Sequence, residues 1–261
     1  MCALITLTTD FGYADHWVGV MKGVMLSINP ELVIVDLTHQ VPPHDIISGA
    51  LALADSFLFF PQGAIHVAVV DPGVGSNRRP IMVKTEKCYF VGPDNGLLWP
   101  AIERLGGFED AWQITNQSFM IKPISTTFHG RDIFAPVAAQ LSLGTAATAL
   151  GPAVHDLHKL ILPRPVLKRG TIIGEVIKVD TFGNLMTNIS IEHLRHLDPQ
   201  KLTVSLNGVV IGGITQSYAD VPAGNALALV GSSGRVEIAV FQGNAAAHFT
   251  ASRGTPVEIR F

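Results

Sequence analysis

The sequence predicts an α/β fold, with a mostly parallel sheet in the first part of the chain and a smaller all-β, barrel-like domain after it. Three features carry that prediction. Continuous aliphatic segments alternate with helix-length amphipathic segments through the first half, and strands that are apolar throughout belong to sheets covered on both faces. Their order is strand, helix, strand, helix, strand, which builds an open parallel sheet with right-handed crossovers. After Pro163-Arg164-Pro165 the helical pattern gives way to short Val- and Ile-rich runs separated by Gly and Asn turns, the pattern of a small barrel.

Taken in order, residues 3–8 are a buried strand, and 15–28 a helix carrying Val18, Met21, Val24, Met25 and Ile28 on one face. Residues 32–37 form a second strand, 46–60 a second helix and 65–70 a third strand. Short strands follow at 81–85 and 88–91, then helices near 97–104 and 133–141. Pro163-Arg164-Pro165 and Lys168-Arg169-Gly170 suggest a linker. The expected domains are therefore 1–160 and 171–261, joined by a linker at 161–170. The second domain takes strands at 171–179, 202–206, 227–230, 236–240 and 257–261.

The chain has 261 residues, 48% of them apolar and 15% charged, with a formal net charge of −3. That length supports a substantial core. No basic stripe exists to neutralise phosphates, so nucleic acid is not an expected partner. The longest apolar runs fall short of the roughly 20 residues that span a bilayer, so no membrane is expected. The N-terminus leads straight into an aliphatic run without a basic region or cleavage signal, and a cytoplasmic protein is the expectation. Two cysteines, Cys2 and Cys88, with no finger-like spacing, make neither a disulfide framework nor a structural zinc site.

Each of the first three strands carries an aspartate at or just past its end: Asp10, Asp36 and Asp71. Ligands of open parallel sheets sit beyond that edge. In Asp10-Phe11-Gly12-Tyr13-Ala14-Asp15 the first carboxylate suits a pair of ribose hydroxyls; equally, Asp10 caps the loop and Asp15 caps a helix from His16. In Asp71-Pro72-Gly73-Val74-Gly75-Ser76-Asn77-Arg78, Arg78 can fold back onto Asp71, to serve a ligand or to steady a Gly-rich turn. In Phe128-His129-Gly130-Arg131-Asp132, His129 suits a held water or a plain loop contact. Asp180-Thr181-Phe182-Gly183-Asn184 offers an aromatic for stacking and an amide for a purine edge, or an Asx turn. Ser232-Ser233-Gly234-Arg235 and Gly243-Asn244-Ala245 are further loop candidates. No Gly-x-Ser-x-Gly elbow and no paired-aspartate nucleophile motif is present, which disfavours a serine hydrolase and a magnesium phosphotransferase.

Together these segments closely resemble the S-adenosylmethionine hydrolases, or SAM hydroxide adenosyltransferases, which are relatives of the fluorinase and chlorinase enzymes. The matching stretches are Thr8-Thr9-Asp10-Phe11-Gly12 with Asp15, Asp71-Pro72-Gly73-Val74-Gly75 with Arg78, and Thr127-Phe128-His129-Gly130-Arg131-Asp132. Asp180-Thr181-Phe182-Gly183-Asn184 with Thr187-Asn188, and Gly243-Asn244-Ala245, complete the set in family order. The resemblance implies a three-layer α/β/α domain, a C-terminal β-barrel domain and a homotrimer with active sites between subunits; a trimer would account for the sparse surface charge. It implies that Asp10 holds the ribose hydroxyls, Asp15 faces the methionine portion and Asp180 meets its ammonium. Phe182 and Asn184 would lie near the adenine, and Ser233 near the methionine carboxylate. His44 stands where the halogenases carry a tryptophan, and Phe128 and Ala245 join the substrate-binding set.

The water-activating trio implied by the resemblance is Asp71, Arg78 and His129. At these points the halogenases carry Tyr-Pro-x-Thr and Tyr-Ser. A carboxylate would repel a halide, so Asp71 argues for water. The expected reaction is in-line attack of water at ribose C5′ of S-adenosylmethionine, giving adenosine and methionine. Pairing with Arg78 is expected to make Asp71 a reluctant base and the trio chiefly a cradle for water. No cofactor or metal is expected, because the sulfonium substrate carries its own leaving group. The alternatives are a halide-using 5′-adenosyltransferase and a non-catalytic sensor of S-adenosylmethionine or a nucleoside.

Overall fold

The computed structural model describes residues 3–261, and the chain divides into two compact units between Leu160 and Ile161. In the first unit, β1 (Leu4–Thr9), β2 (Val33–Thr38), β3 (Ile65–Val69), β4 (Pro80–Lys84), β5 (Tyr89–Pro93) and β6 (Asp110–Gln113) form one sheet in the order β2-β1-β3-β5-β4-β6. The pairings β1–β2, β1–β3 and β3–β5 are parallel, and β4 runs against both its neighbours. The sheet is therefore mostly parallel.

Both faces of the sheet are covered, as the aliphatic strands require. Ile5, Leu7, Val67 and Val69 pack with Met21 and Met25 of α1 (Trp17–Ile28) and with the helix α4 (Ala135–Ser142). Ala68 and Val70 turn to the opposite face, against α2 (Ile46–Ser56) and α3 (Trp99–Arg104). This gives the three-layer arrangement. The helix expected over 46–60 ends at Ser56 and tightens into a single 3-10 turn, Phe57–Phe59. The sequence gives no sign of β6, because Asp-Ala-Trp-Gln is short and polar at both ends.

One polar side chain in this core titrates in an accessible range. His66 of β3 is fully buried, its Nδ1 2.7 Å from Thr6 Oγ1, with Nε2 unpartnered among Phe57, Phe60 and Phe90. Burial pulls its pKa down to about 4. Folding thus favours the neutral ring, and its stabilisation is fully present above the unfolded value near 6.5 and lost as pH falls towards 4. Unfolding free energy should drop by roughly 2 kcal/mol between pH 7.5 and 5 on account of this group. Urea titrations of the wild type and His66→Leu check this: an equal pH slope in both would exclude it.

The second unit is a curled, mostly antiparallel sheet. It comprises β7 (Val166–Lys168), β8 (Thr171–Val179), β9 (Leu185–Ser190), β10 (Thr203–Leu206), β11 (Val209–Ile211), β12 (Ile214–Thr215), β13 (Ala226–Val230), β14 (Arg235–Val240) and β15 (Pro256–Arg260). The order is β11-β10-β15-β8-β9-β14-β13-β12, with β7 also on β8. The long β8 turns the corner: residues 171–175 pair with β15, whereas Val176, Lys178 and Val179 pair with β9 across a register shift. Irregularities of this kind bend a strand and let a sheet curl.

Two stretches differ from expectation. Residues 166–168, expected in the linker, form the edge strand β7 of a hairpin with β8. Gly170, at φ 76°, supplies the left-handed residue that this tight turn requires, so Lys168-Arg169-Gly170 marks a hairpin and not a flexible connection. The strand β9 escapes the sequence pattern because its buried positions include polar Thr187 and Asn188. Both are satisfied: Thr187 Oγ1 donates to the Val236 carbonyl, and Asn188 accepts from the Glu175 N–H and donates to the Pro163 carbonyl.

Candidate active site

The paired register of β1 and β3, with Thr9 opposite Val69, brings the loops after both strands to one edge. There a cleft of about 310 Å³ is lined by Asp10, Phe11, Trp17, Pro43, His44, Val69, Asp71, Val74, Thr127, Phe128, His129 and Gly130. This is the carboxyl edge of the parallel strands, the place where such sheets bind ligands.

Within the cleft Asp71, Arg78 and His129 form one chain of contacts. Arg78 Nε lies 3.0 and 2.9 Å from the two Asp71 oxygens, and Nη2 lies 2.5 Å from Oδ2. The same Nη2 donates to His129 Nδ1 at 2.6 Å. A guanidinium has no lone pair to offer, so Nδ1 must be the acceptor, and His129 is the neutral tautomer with its proton on Nε2. Burial, and next the Arg78 charge, hold the His129 pKa below its ordinary value. The side chains of Asp71 and Arg78 are only 5% and 9% exposed. The guanidinium lies 5.3 Å from the Phe134 ring centroid, and Nη1 is buried without a partner.

Two local devices place these groups. Gly75 takes φ +77°, and a Cβ there would lie 2.3 Å from the Thr126 carbonyl oxygen. The Asp71 loop therefore docks on the His129 loop through a bare backbone. The helix expected at 133–141 begins differently: a π-helical turn over Gly130–Phe134 precedes α4. Pro136 has no N–H to give the Asp132 carbonyl, which accepts from Ile121 N–H at 3.0 Å instead. Ala135 N–H reaches back to the Gly130 carbonyl, widening the turn. Arg131 and Asp132 serve structure: Asp132, fully buried, pairs with Arg131 and accepts from Ser125 N–H.

Asp10 Oδ2 accepts the backbone N–H of His44 at 2.9 Å, and His44 is held at φ 65°. A non-glycine residue in that region costs of order 1–3 kcal/mol and is retained where surroundings impose it. Asp10 and His44 thus meet through the His44 backbone. Asp15 does not cap the helix, which starts at Trp17 after His16 without a side-chain cap. It is exposed and is not among the residues lining the cleft. Asp36 pairs with Lys22 at 2.7 Å and with His39 at 3.0 Å, also outside the lining.

In the second unit, Asp180 closes an Asx turn. Its Oδ1 accepts from the N–H groups of Phe182 and Asn184, and its Oδ2 accepts from Asn184 Nδ2. Phe182 stands 77% exposed at the tip. Gly183 abuts Asn244, so the 180–184 and 243–245 segments are neighbours. Ala245 is fully buried, and its methyl belongs to the core of the second unit. Ser233 Oγ lies 3.9 Å from Met186 Sδ in the β13–β14 turn.

Sequence reasoning misses two features of the molecule. Tyr218 donates to Glu237 at 2.5 Å; burial and then Glu237 raise the tyrosine pKa, while burial and Asp180 raise that of Glu237. Trp17 lines the cleft, and its place seven residues after Asp10 is the available signal. Among the described residues no group of three or more His, Cys, Asp or Glu is placed to hold a metal ion, and no helix is long and apolar enough to cross a membrane.

A small-molecule cleft at the carboxyl edge of an open α/β sheet, armed with a buried carboxylate that an arginine orients, defines an enzyme of the α/β class. Comparison with known proteins narrows this. Residues 5–151 match the SAM hydroxide adenosyltransferase N-terminal domain and residues 174–258 the corresponding C-terminal domain, and the chain belongs to that family. A Salinispora tropica protein named (R)-S-adenosyl-L-methionine hydrolase is 42% identical, covering 93% of this chain and 92% of its own. A fluorinase from Nocardia brasiliensis is 26% identical, covering 98% and 96%. An uncharacterized conserved protein of Thermotoga maritima has a crystal structure that superposes with a TM-score of 0.92 at 37% identity, covering 99% and 100%.

Proposed function

We propose that this protein hydrolyses S-adenosyl-L-methionine to adenosine and L-methionine, by in-line attack of water on ribose C5′. The observation that carries the reading is the Asp71–Arg78–His129 chain inside the cleft. The relative named above supports it and narrows the substrate to the (R) epimer at sulfur.

In this mechanism Asp10 takes the ribose hydroxyls. His129 Nε2–H holds the oxygen of the attacking water, and Asp71 accepts its proton as the C5′–O bond forms. The C5′–S bond breaks with its electron pair moving to sulfur, so methionine leaves as a neutral thioether. Positioning in a dry cleft supplies as much as ~7–11 kcal/mol, and proton acceptance a further 10²–10⁴-fold, about that of a well-placed base. Asp180, Phe182, Asn184 and Ser233 are assigned to substrate binding in the assembled enzyme, with His44 and Phe128 from the cleft and Asp15 at the methionine end.

A halide-using transferase is disfavoured because Asp71 would repel the anion. The reading includes a cytoplasmic homotrimer working without cofactor. Mass photometry at three times the 27.9 kDa chain and turnover undiminished by EDTA are the expected results.

Incubation of both sulfonium epimers in ¹⁸O-water, with and without fluoride and chloride, tests the function. Labelled adenosine in every mixture is expected, fastest from the (R) epimer. A 5′-halo-5′-deoxyadenosine product would make this a halogenase, and tight binding without turnover a sensor.

A further inference from the structure

One wall of the cleft is aromatic, and of its three rings only Phe128 has been given a part above. Trp17, at the start of α1, meets Phe128 edge-to-face with centroids 5.2 Å apart, and Phe128 meets Phe11 the same way at 5.9 Å. All three line the cleft. Trp17 is 39% exposed, a large share for a tryptophan that packing alone would bury.

The charges around this wall favour a cation. Asp71 and Arg78 offset one another and Arg78 donates to a neutral His129, which leaves the Asp10 carboxylate as the uncompensated charge of the cleft lining. Phe128 already carries a cation, since the Arg131 guanidinium lies 5.3 Å from its centroid and is itself paired to buried Asp132. Trp17 and Phe11 remain. The His16 ring packs against Trp17 at 4.1 Å between centroids, which leaves one indole face to the cleft, and indole is the strongest of the aromatic side chains at attracting a positive charge.

We propose that Trp17, with Phe11 beside it, seats the sulfonium of the substrate and makes the enzyme select the charged substrate over its neutral thioether counterpart. This rests on the function proposed above. A sulfonium and its thioether differ by one methyl group and a full charge. A merely apolar wall would hold the two alike, whereas a ring quadrupole attracts the charged one.

The test compares KM for (R)-S-adenosylmethionine with Ki for S-adenosylhomocysteine in wild type, Trp17→Leu and Trp17→Phe. Trp17→Leu is expected to raise KM by about three- to thirtyfold, to leave Ki within about twofold, and to be largely rescued in Trp17→Phe. Equal weakening of both ligands, or of neither, overturns the proposal. Biosynthetic replacement of tryptophan by its mono- and difluoro analogues keeps the shape while draining the ring's negative face. KM should then rise stepwise with fluorination, and a flat series would also overturn the proposal. Wild type that hydrolyses no S-adenosylmethionine sinks the functional reading itself. Wild type that turns over with an unchanged ligand ratio in the variants sinks only the role of Trp17.

Discussion

Asparagine in place of Asp71 is expected to lower kcat for S-adenosylmethionine hydrolysis by about 10²–10⁴-fold while KM changes only a few-fold. The amide retains one oxygen for Arg78 but turns N–H groups where the carboxylate had accepted Nε and Nη2, and it takes no proton from water. It also leaves a guanidinium that is 9% exposed without its counter-charge, a loss of about 3–5 kcal/mol of stability when a buried pair is broken. Activity should therefore be read well below the variant's own Tm, at saturating substrate. Full turnover in Asp71→Asn would remove the carboxylate from the reaction. The acid limb of the pH profile carries a linked expectation. The Arg78 Nη2 to His129 Nδ1 contact requires an unprotonated Nδ1, and burial with the Arg78 charge lowers the His129 pKa. Protonation of His129 should thus impair kcat/KM only below the ordinary imidazole value near 6.5. An acid limb above that value would place the titrating group elsewhere.

Much of this site is legible in the sequence because its chemistry is local in the chain. The aliphatic runs of β1 and β3 and the aspartates after them fix an edge of the sheet, and Asp71 and Arg78 lie within one loop. His129 is identifiable only through resemblance, since nothing in its own segment says which loop it will face. That is decided by the docking of Gly75 against Thr126, a contact between segments distant in sequence. The same limit explains the differences. Asp15 looks like a helix cap because caps are recognised by spacing, but the chain delays the helix to Trp17 and leaves Asp15 outside the cleft lining. Ala245 is marked in the sequence by its motif alone; that its methyl is buried follows from the short helix Ala245–Phe249 packing into the core of the second unit. Trp17 escapes notice because an aromatic on an apolar helix face ordinarily signals core. His44 gives no sign at all of its left-handed backbone, which is imposed by Asp10 across 34 residues.

Gly75→Ala is expected to be the single-methyl change that most directly disturbs the Asp71–Arg78–His129 chain. Two costs coincide. At φ +77° an L side chain is strained whatever the space, by about 1 kcal/mol. The added Cβ would also lie 2.3 Å from the Thr126 carbonyl oxygen, and backbone cannot swing aside as the end of a flexible side chain can. Relief requires the Asp71 loop and the Thr126–His129 loop to separate. A shift of about 1 Å is already worth about 10²-fold in rate where a reaction depends on alignment. The Arg78 Nη2 to His129 Nδ1 contact at 2.6 Å spans those same two loops, so it should be the first to lengthen. The expected result is a kcat reduced by about 10²-fold or more, with stability lower by roughly 2–4 kcal/mol. Gly63→Ala supplies the comparison: Gly63 has φ +83°, and a Cβ added there would meet nothing within 4 Å, so it carries the strain without the collision. It should lose only about 1 kcal/mol and keep kcat. Equal kcat in the two alanine variants would mean that the loops do not need to be held this closely, and that Asp71 and Arg78 act without His129.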